Sequence, residues 1–105
     1  MQILSMRFRS AKPVKELEAM SDASLPLFEK LPGLLQKYYV QNRENGEVGG
    51  VYVWESTEHL QAYLAGPIVA AMPPRFAMPE PPRIEILDVN LHIRPGTPPA
   101  ADCAG

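Results

Sequence analysis

Asn45-Gly46, set between two runs rich in aromatic and β-branched residues, constrains the fold more than any other feature of this chain. Both residues tolerate positive φ, so Asn-Gly between such runs is a strong hairpin signal. Residues 34–43 and 48–55 are therefore expected to be antiparallel neighbours. With Asn45 and Gly46 as the whole loop, Glu44 stands opposite Glu47. Tyr39 then faces Tyr52, Lys37 faces Trp54 and Gln41 faces Gly50, all on one side of the sheet. The other side carries Tyr38 with Val53, Val40 with Val51 and Asn42 with Gly49. A bulge at Gly49-Gly50 would flip this assignment.

The flanking segments complete a simple order. Leu4, Met6 and Phe8 alternate with Ser5, Arg7 and Arg9, the period of a half-buried strand over residues 2–9. After Pro13, a good first helical residue, Val14, Leu17, Met20, Ser24, Phe28 and Leu31 recur at helical spacing. Pro26 is expected to kink that helix or to start a second short one. Pro32-Gly33 ends it. Beyond the hairpin, Ser56 or Thr57 caps a second helix whose buried face is Leu60, Tyr63 and Leu64, and Gly66-Pro67 breaks it. Residues 68–72 add a turn or two. Residues 73–82 hold Pro73, Pro74, Pro79, Pro81 and Pro82, and are expected to form a stiff, extended loop at the mouth of any pocket. A last strand is expected over residues 83–93. Residues 94–105, rich in Pro, Gly and Ala, are expected to be a flexible tail following a single domain of residues 1–93.

Strand, helix, strand, strand, helix, strand is the ferredoxin-like βαββαβ pattern: an α+β fold with a four-stranded antiparallel sheet and helices on one face. Both strand parities carry apolar residues, so the uncovered face needs a partner, and a second copy is the simplest. At 105 residues, 46% apolar and 21% charged, this is one ordinary globular domain.

Composition also narrows function. The net charge is −2 and no Lys/Arg stripe occurs, which argues against nucleic acid. The opening residues lack the apolar core of a signal peptide, and no run nears the roughly 18–20 apolar residues of a membrane span. The single cysteine, Cys103, fits a reducing cytoplasm. His59 and His92 form no Cys/His cluster, so no ordinary zinc site is expected. No phosphate-cradling glycine loop is present.

Several segments together resemble the YdhR-like mono-oxygenase family. They are Pro32-Gly33-Leu34-Leu35 with Lys37, Glu47 through Gly49-Gly50-Val51-Tyr52-Val53-Trp54, Ala62-Tyr63-Leu64 and Asp88-Val89-Asn90. The resemblance runs from about residue 26 to residue 91. Gln36, where the family favours an aromatic residue, and the proline-rich stretch depart from it. That family belongs to the dimeric α/β-barrel superfamily. The resemblance implies a homodimer, two sheets packed face to face, and a cavity for a small aromatic or polyketide-like molecule. It also implies oxygenase chemistry with no cofactor, since the substrate phenol or enol supplies the electrons.

Such chemistry needs groups that hold the substrate, move a proton and stabilise an oxyanion. The candidate catalytic residues are His92, as a base, and Tyr52, as a donor to the oxyanion. Tyr39, Trp54, Lys37 and Asn90 are candidate substrate-binding residues, with Trp54 a flat wall under Lys37. Asp88 is a further candidate base. Each has a plainer alternative: an aromatic ladder that only packs, or a solvated strand-end histidine. His59 is expected to be exposed at the start of the second helix, a poor place for a haem ligand. Gly49-Gly50 is assigned to close backbone packing. A non-oxidative isomerase or cyclase, and a non-enzymatic binding dimer, would use the same walls.

Overall fold

The computed structural model describes residues 1–93 and Pro95; the expected tail, with Cys103, lies outside the described residues. The elements are β1 (Gln2–Phe8), α1 (Val14–Glu29), β2 (Leu34–Gln41), β3 (Val48–Trp54), α2 (Thr57–Leu64), α3 (Pro67–Arg75) and β4 (Arg83–Asp88). They form one four-stranded antiparallel sheet in the order β2-β3-β1-β4, as a ferredoxin-like fold requires.

The alternation read in β1 sets the core. Leu4, Met6 and Phe8 are buried, and they pair across β3 with Tyr52, Gly50 and Val48. Tyr52, Trp54, Leu60, Tyr63 and Met72 complete the cluster from β3, α2 and α3. The opposite face carries Ile3, Val51, Val53, Tyr38 and Leu87, and no helix or strand of the described residues lies over it.

The hairpin corrects the expected register. Lys37 pairs with Tyr52, Tyr38 with Val51, Tyr39 with Gly50 and Val40 with Gly49, a slip of two residues on β3. A longer loop is the cause. The Asn42 N–H donates to the Glu47 carbonyl (2.8 Å), and the Asn42 carbonyl accepts from Gly46 (2.9 Å). The Asn42 and Asn45 side chains accept from the N–H groups of Glu44 and Glu47, each at 2.9 Å, and Gly46 supplies φ +76°. Because the slip is even, the side chains of β2 from Gln36 onward keep their faces. The irregularity falls at Leu34/Gln36, not at Gly49-Gly50.

Prolines account for two further differences. α1 runs through Pro26 as one helix. Pro26 removes a single donor, and both it and Asp22, whose carbonyl loses that donor, are exposed, so the carbonyl turns to solvent. α3 extends through Pro73 and Pro74 to Arg75, where an extended loop was expected. Proline φ is already helical, and the N–H groups of Phe76 and Met78 close the end on the carbonyls of Met72 (2.9 Å) and Pro73 (3.0 Å). The following residues are tied down: the Ser10 hydroxyl donates to the Phe76 carbonyl and the Ala11 N–H to that of Ala77.

β4 is shorter than residues 83–93. It stops at Asp88, which pairs with Gln2 at the start of β1, and the Val89 N–H bonds the Met1 carbonyl beyond it. Asn90 and His92 therefore follow the strand rather than lie on it.

Gly49 is needed for backbone approach, as its sequence context implied. A Cβ there would sit 1.9 Å from the Met6 carbonyl oxygen, whereas one at Gly46 would meet nothing within 4 Å. Gly49→Ala is expected to lower the unfolding free energy by about 1–3 kcal/mol or more through overpacking. Gly46→Ala should cost only the left-handed strain of about 1–2 kcal/mol. Urea denaturation of the two variants checks both magnitudes.

Candidate functional site

Between the helices and the sheet lies a cavity of about 360 Å³. Its floor is β2 and β3, where Gly50, between Tyr39 and Met6, lets the Tyr52 ring lie close against the backbone. Phe28 of α1, Tyr63 of α2 and Met72 of α3 form the roof and walls, and Phe76 closes the end beyond α3. The proline-rich segment thus borders the cavity through Arg75 and Phe76. The charged lining residues Glu18, Asp22 and Arg75 are all exposed and mark its solvent side.

Lys37 is brought here by its place on β2, one residue from Tyr38 on the open face. Its Nζ lies 3.2 Å from the ring centroid of Phe28, 4.1 Å from that of Tyr39 and 4.8 Å from that of Tyr52. The expected partner Trp54 is corrected: the register slip sets Lys37 across from Tyr52. Burial pushes the Lys37 ammonium down from its usual 10.5 to about 7. The three ring faces attract a cation and work against that shift.

Tyr52 is 3% exposed, and its hydroxyl shares a hydrogen bond with that of Tyr63 at 3.2 Å. Burial raises the pKa of both phenols, with the neighbouring Tyr63 and Tyr39 adding to the effect at Tyr52. Both stay neutral donors across the ordinary pH range. The Tyr39 hydroxyl is 2.8 Å from Ser24 Oγ, which links β2 to α1.

Other candidates lie elsewhere. Trp54 is 1% exposed and does not line the cavity. It stands behind the wall, stacked on Tyr52 at 6.4 Å and tilted on Tyr63 at 5.2 Å. His92 and Asn90 do not line the cavity either: they follow β4, the edge strand on the far side of β1 from β2 and β3. Asp88 accepts from the Gln2 amide at 2.9 Å. His59 is half-buried rather than exposed: its Nδ1 lies 2.7 Å from the capping Ser56 hydroxyl and its ring lies against Gly33. Phe28 and Tyr63 were legible only as core-facing helix positions, and nothing in their spacing told a cavity wall from packing. Among the described residues no group of acidic, His and Cys side chains could hold a metal ion, and no helix is long and apolar enough to cross a membrane.

A four-stranded antiparallel sheet covered by helices on one face defines the ferredoxin-like fold, which the chain shares with structures of antibiotic-biosynthesis monooxygenases. Within that class the chain belongs to the ydhR family: the model described as "Putative mono-oxygenase ydhR" matches residues 3–91. Solved structures share the fold. A protein of unknown function from Nitrosomonas europaea is 23% identical, with a TM-score of 0.72 covering 91% of this chain and 95% of that one. A monooxygenase from the ActVA-Orf6 gene of Streptomyces coelicolor, in complex with nanaomycin D, is 18% identical, with a TM-score of 0.70 covering 90% and 92%. SnoaB, a cofactor-independent oxygenase from Streptomyces nogalater, is 18% identical, with a TM-score of 0.62 covering 90% and 95%. No curated protein matches the chain.

The lysine predicts a pH dependence. Unfolded, it titrates at 10.5; folded, at about 7. Between these values the unfolded chain holds the extra proton, so stability rises with pH through this window. Above the ordinary tyrosine value of 10.0, the raised phenols Tyr52 and Tyr63 act in the opposite direction, because only the unfolded chain releases their protons. Lys37→Met should remove the rising limb, and denaturation midpoints at a series of pH values between those limits would show its loss.

Proposed function

We propose that this chain is a cofactor-independent mono-oxygenase acting on a small, flat aromatic or polyketide-like molecule. The observation that carries this is the cavity itself: about 360 Å³, walled by Phe28, Tyr39, Tyr52 and Tyr63, with the paired Tyr52 and Tyr63 hydroxyls among its lining residues. Membership of the ydhR family and the fold shared with SnoaB support it.

In the proposed reaction an activated methylene of the substrate loses a proton, and the resulting carbanion, delocalised as an enolate or phenolate, gives electrons to dioxygen. A C–O bond forms, the O–O bond of the peroxide breaks, and water leaves. Overall CH₂ plus O₂ becomes C=O plus H₂O: carbon is oxidised, one oxygen atom stays in the product and the other is reduced to water. The protein holds the ring between aromatic faces, and the Tyr52 hydroxyl stabilises the oxyanion as charge develops. His92, set outside the cavity, receives no step.

We take the functional unit to be a homodimer. The open sheet face, with Ile3, Val51, Val53 and the half-exposed Leu87 and Tyr38, is apolar enough to need a cover, and an identical face is its simplest complement. Val53→Lys should convert the sedimenting species from dimer to monomer; a wild-type monomer would sink this assignment.

Oxygen uptake with 1,8-dihydroxyanthrone as probe tests the reaction. Tyr52→Phe is expected to lower the rate by about 10²-fold, as for loss of one oxyanion donor. His92→Ala should leave the rate unchanged. Wild-type rates from Tyr52→Phe would remove that residue from the mechanism. Conversion that proceeds equally without oxygen would point to a non-oxidative isomerase or cyclase, and saturable binding without product to a ligand-binding dimer.

A further inference from the structure

A half-buried ammonium group ordinarily finds a carboxylate, and among the described residues Lys37 forms no ion pair. The ion pairs among the described residues, Lys12–Glu16 and Arg83–Glu47, lie elsewhere. What surrounds Nζ instead is three ring faces, one from α1 and two from the sheet, beside an apolar cavity. Lys37 is thus a basic side chain on the lining of that cavity, with no ion-pair partner among the described residues.

We infer that Lys37 takes the proton of an acidic phenol or enol bound in the cavity and holds the oxyanion that results. The ligand O–H bond breaks and its electron pair stays on oxygen. An N–H bond forms at Nζ, and no electron is transferred. A neutral amine and a neutral ligand become an ion pair. The assignment rests on the aromatic-ligand function proposed above. It narrows the substrate class to flat molecules whose acidic oxygen reaches the β2 side of the cavity.

The surroundings suit both halves of the step. Burial leaves much of Lys37 as free amine near neutral pH, able to accept a proton. Once formed, the ammonium rests on the faces of Phe28, Tyr39 and Tyr52, and the oxyanion pairs with it. Tyr52, kept neutral by burial, can add a charge-assisted hydrogen bond. The remaining titratable groups on the cavity do not compete. Tyr39 is engaged with Ser24 and Tyr63 with Tyr52. Glu18 and Asp22 of α1 and Arg75 of α3 are exposed, where solvent screens them.

The test uses 2-naphthol and its neutral ether 2-methoxynaphthalene with the full chain. Naphtholate absorbs at longer wavelength than naphthol, so absorbance titration reads the apparent pKa of the bound probe. Bound to wild type, that pKa should fall by about 1–3 units, as for an acid beside a cation. In Lys37→Met and Lys37→Gln that fall should be lost, because the cation is gone while desolvation still opposes the anion. The ether should bind all three proteins with similar affinity, which shows that the cavity is intact in the variants. An unshifted or raised pKa in wild type, or the same fall in either variant, would overturn the assignment of Lys37 while ether binding leaves the aromatic-ligand function standing. Failure of wild type to bind either probe would overturn both.

Discussion

Everything in this molecule depends on one face of the sheet meeting the helices across large aromatic rings. Leu4, Met6 and Phe8 anchor that face from the central strand β1, and Tyr52 and Trp54 extend it on β3. Rings hold α1 and α2 off the strands, and Gly50 contributes no side chain beneath them. The gap that remains is the cavity. The packing that stabilises the domain and the space that would hold a ligand are therefore made by the same residues, so Tyr52 and Tyr63 cannot be assigned to core or to site alone.

Polar groups enter this apolar region under tight limits. The two buried phenols satisfy part of each other's hydrogen bonding, and burial keeps them protonated. Lys37 has no such partner and is held by ring faces. A buried polar group ordinarily costs stability unless it is paired. One that remains unpaired beside an open cavity is poised to find its partner in a ligand, and this links the energetics of the fold to its chemistry.

Much of this was legible in the chain. The β1 alternation, the helical spacing through Leu17 and Phe28, the Ser56 cap and the faces of the hairpin all follow from local periodicity and turn chemistry. The resemblance carried by Gly49-Gly50-Val51-Tyr52-Val53-Trp54 pointed to the right family. The hairpin pairing was displaced because Asn42 and Asn45 both act as turn caps, which makes a longer loop than Asn-Gly alone. α3 outran its expected end because consecutive prolines keep a helical φ even as they remove donors. His92 was placed on a strand by its apolar neighbours, but a strand ends where its partner does, and β1 begins at Gln2.

By itself, then, the sequence determined the order of elements, the sheet faces and the set of aromatic and basic side chains turned toward the helices. These follow from the two-residue period of strands and the three-to-four-residue period of helices, which act locally. Only the tertiary structure decided which of those side chains share a cavity. Phe28 reaches Lys37 from a helix, Tyr63 meets Tyr52 across eleven residues, and Trp54 withdraws behind them. Distances between elements are set by how whole side-chain volumes pack, and no local pattern encodes that sum.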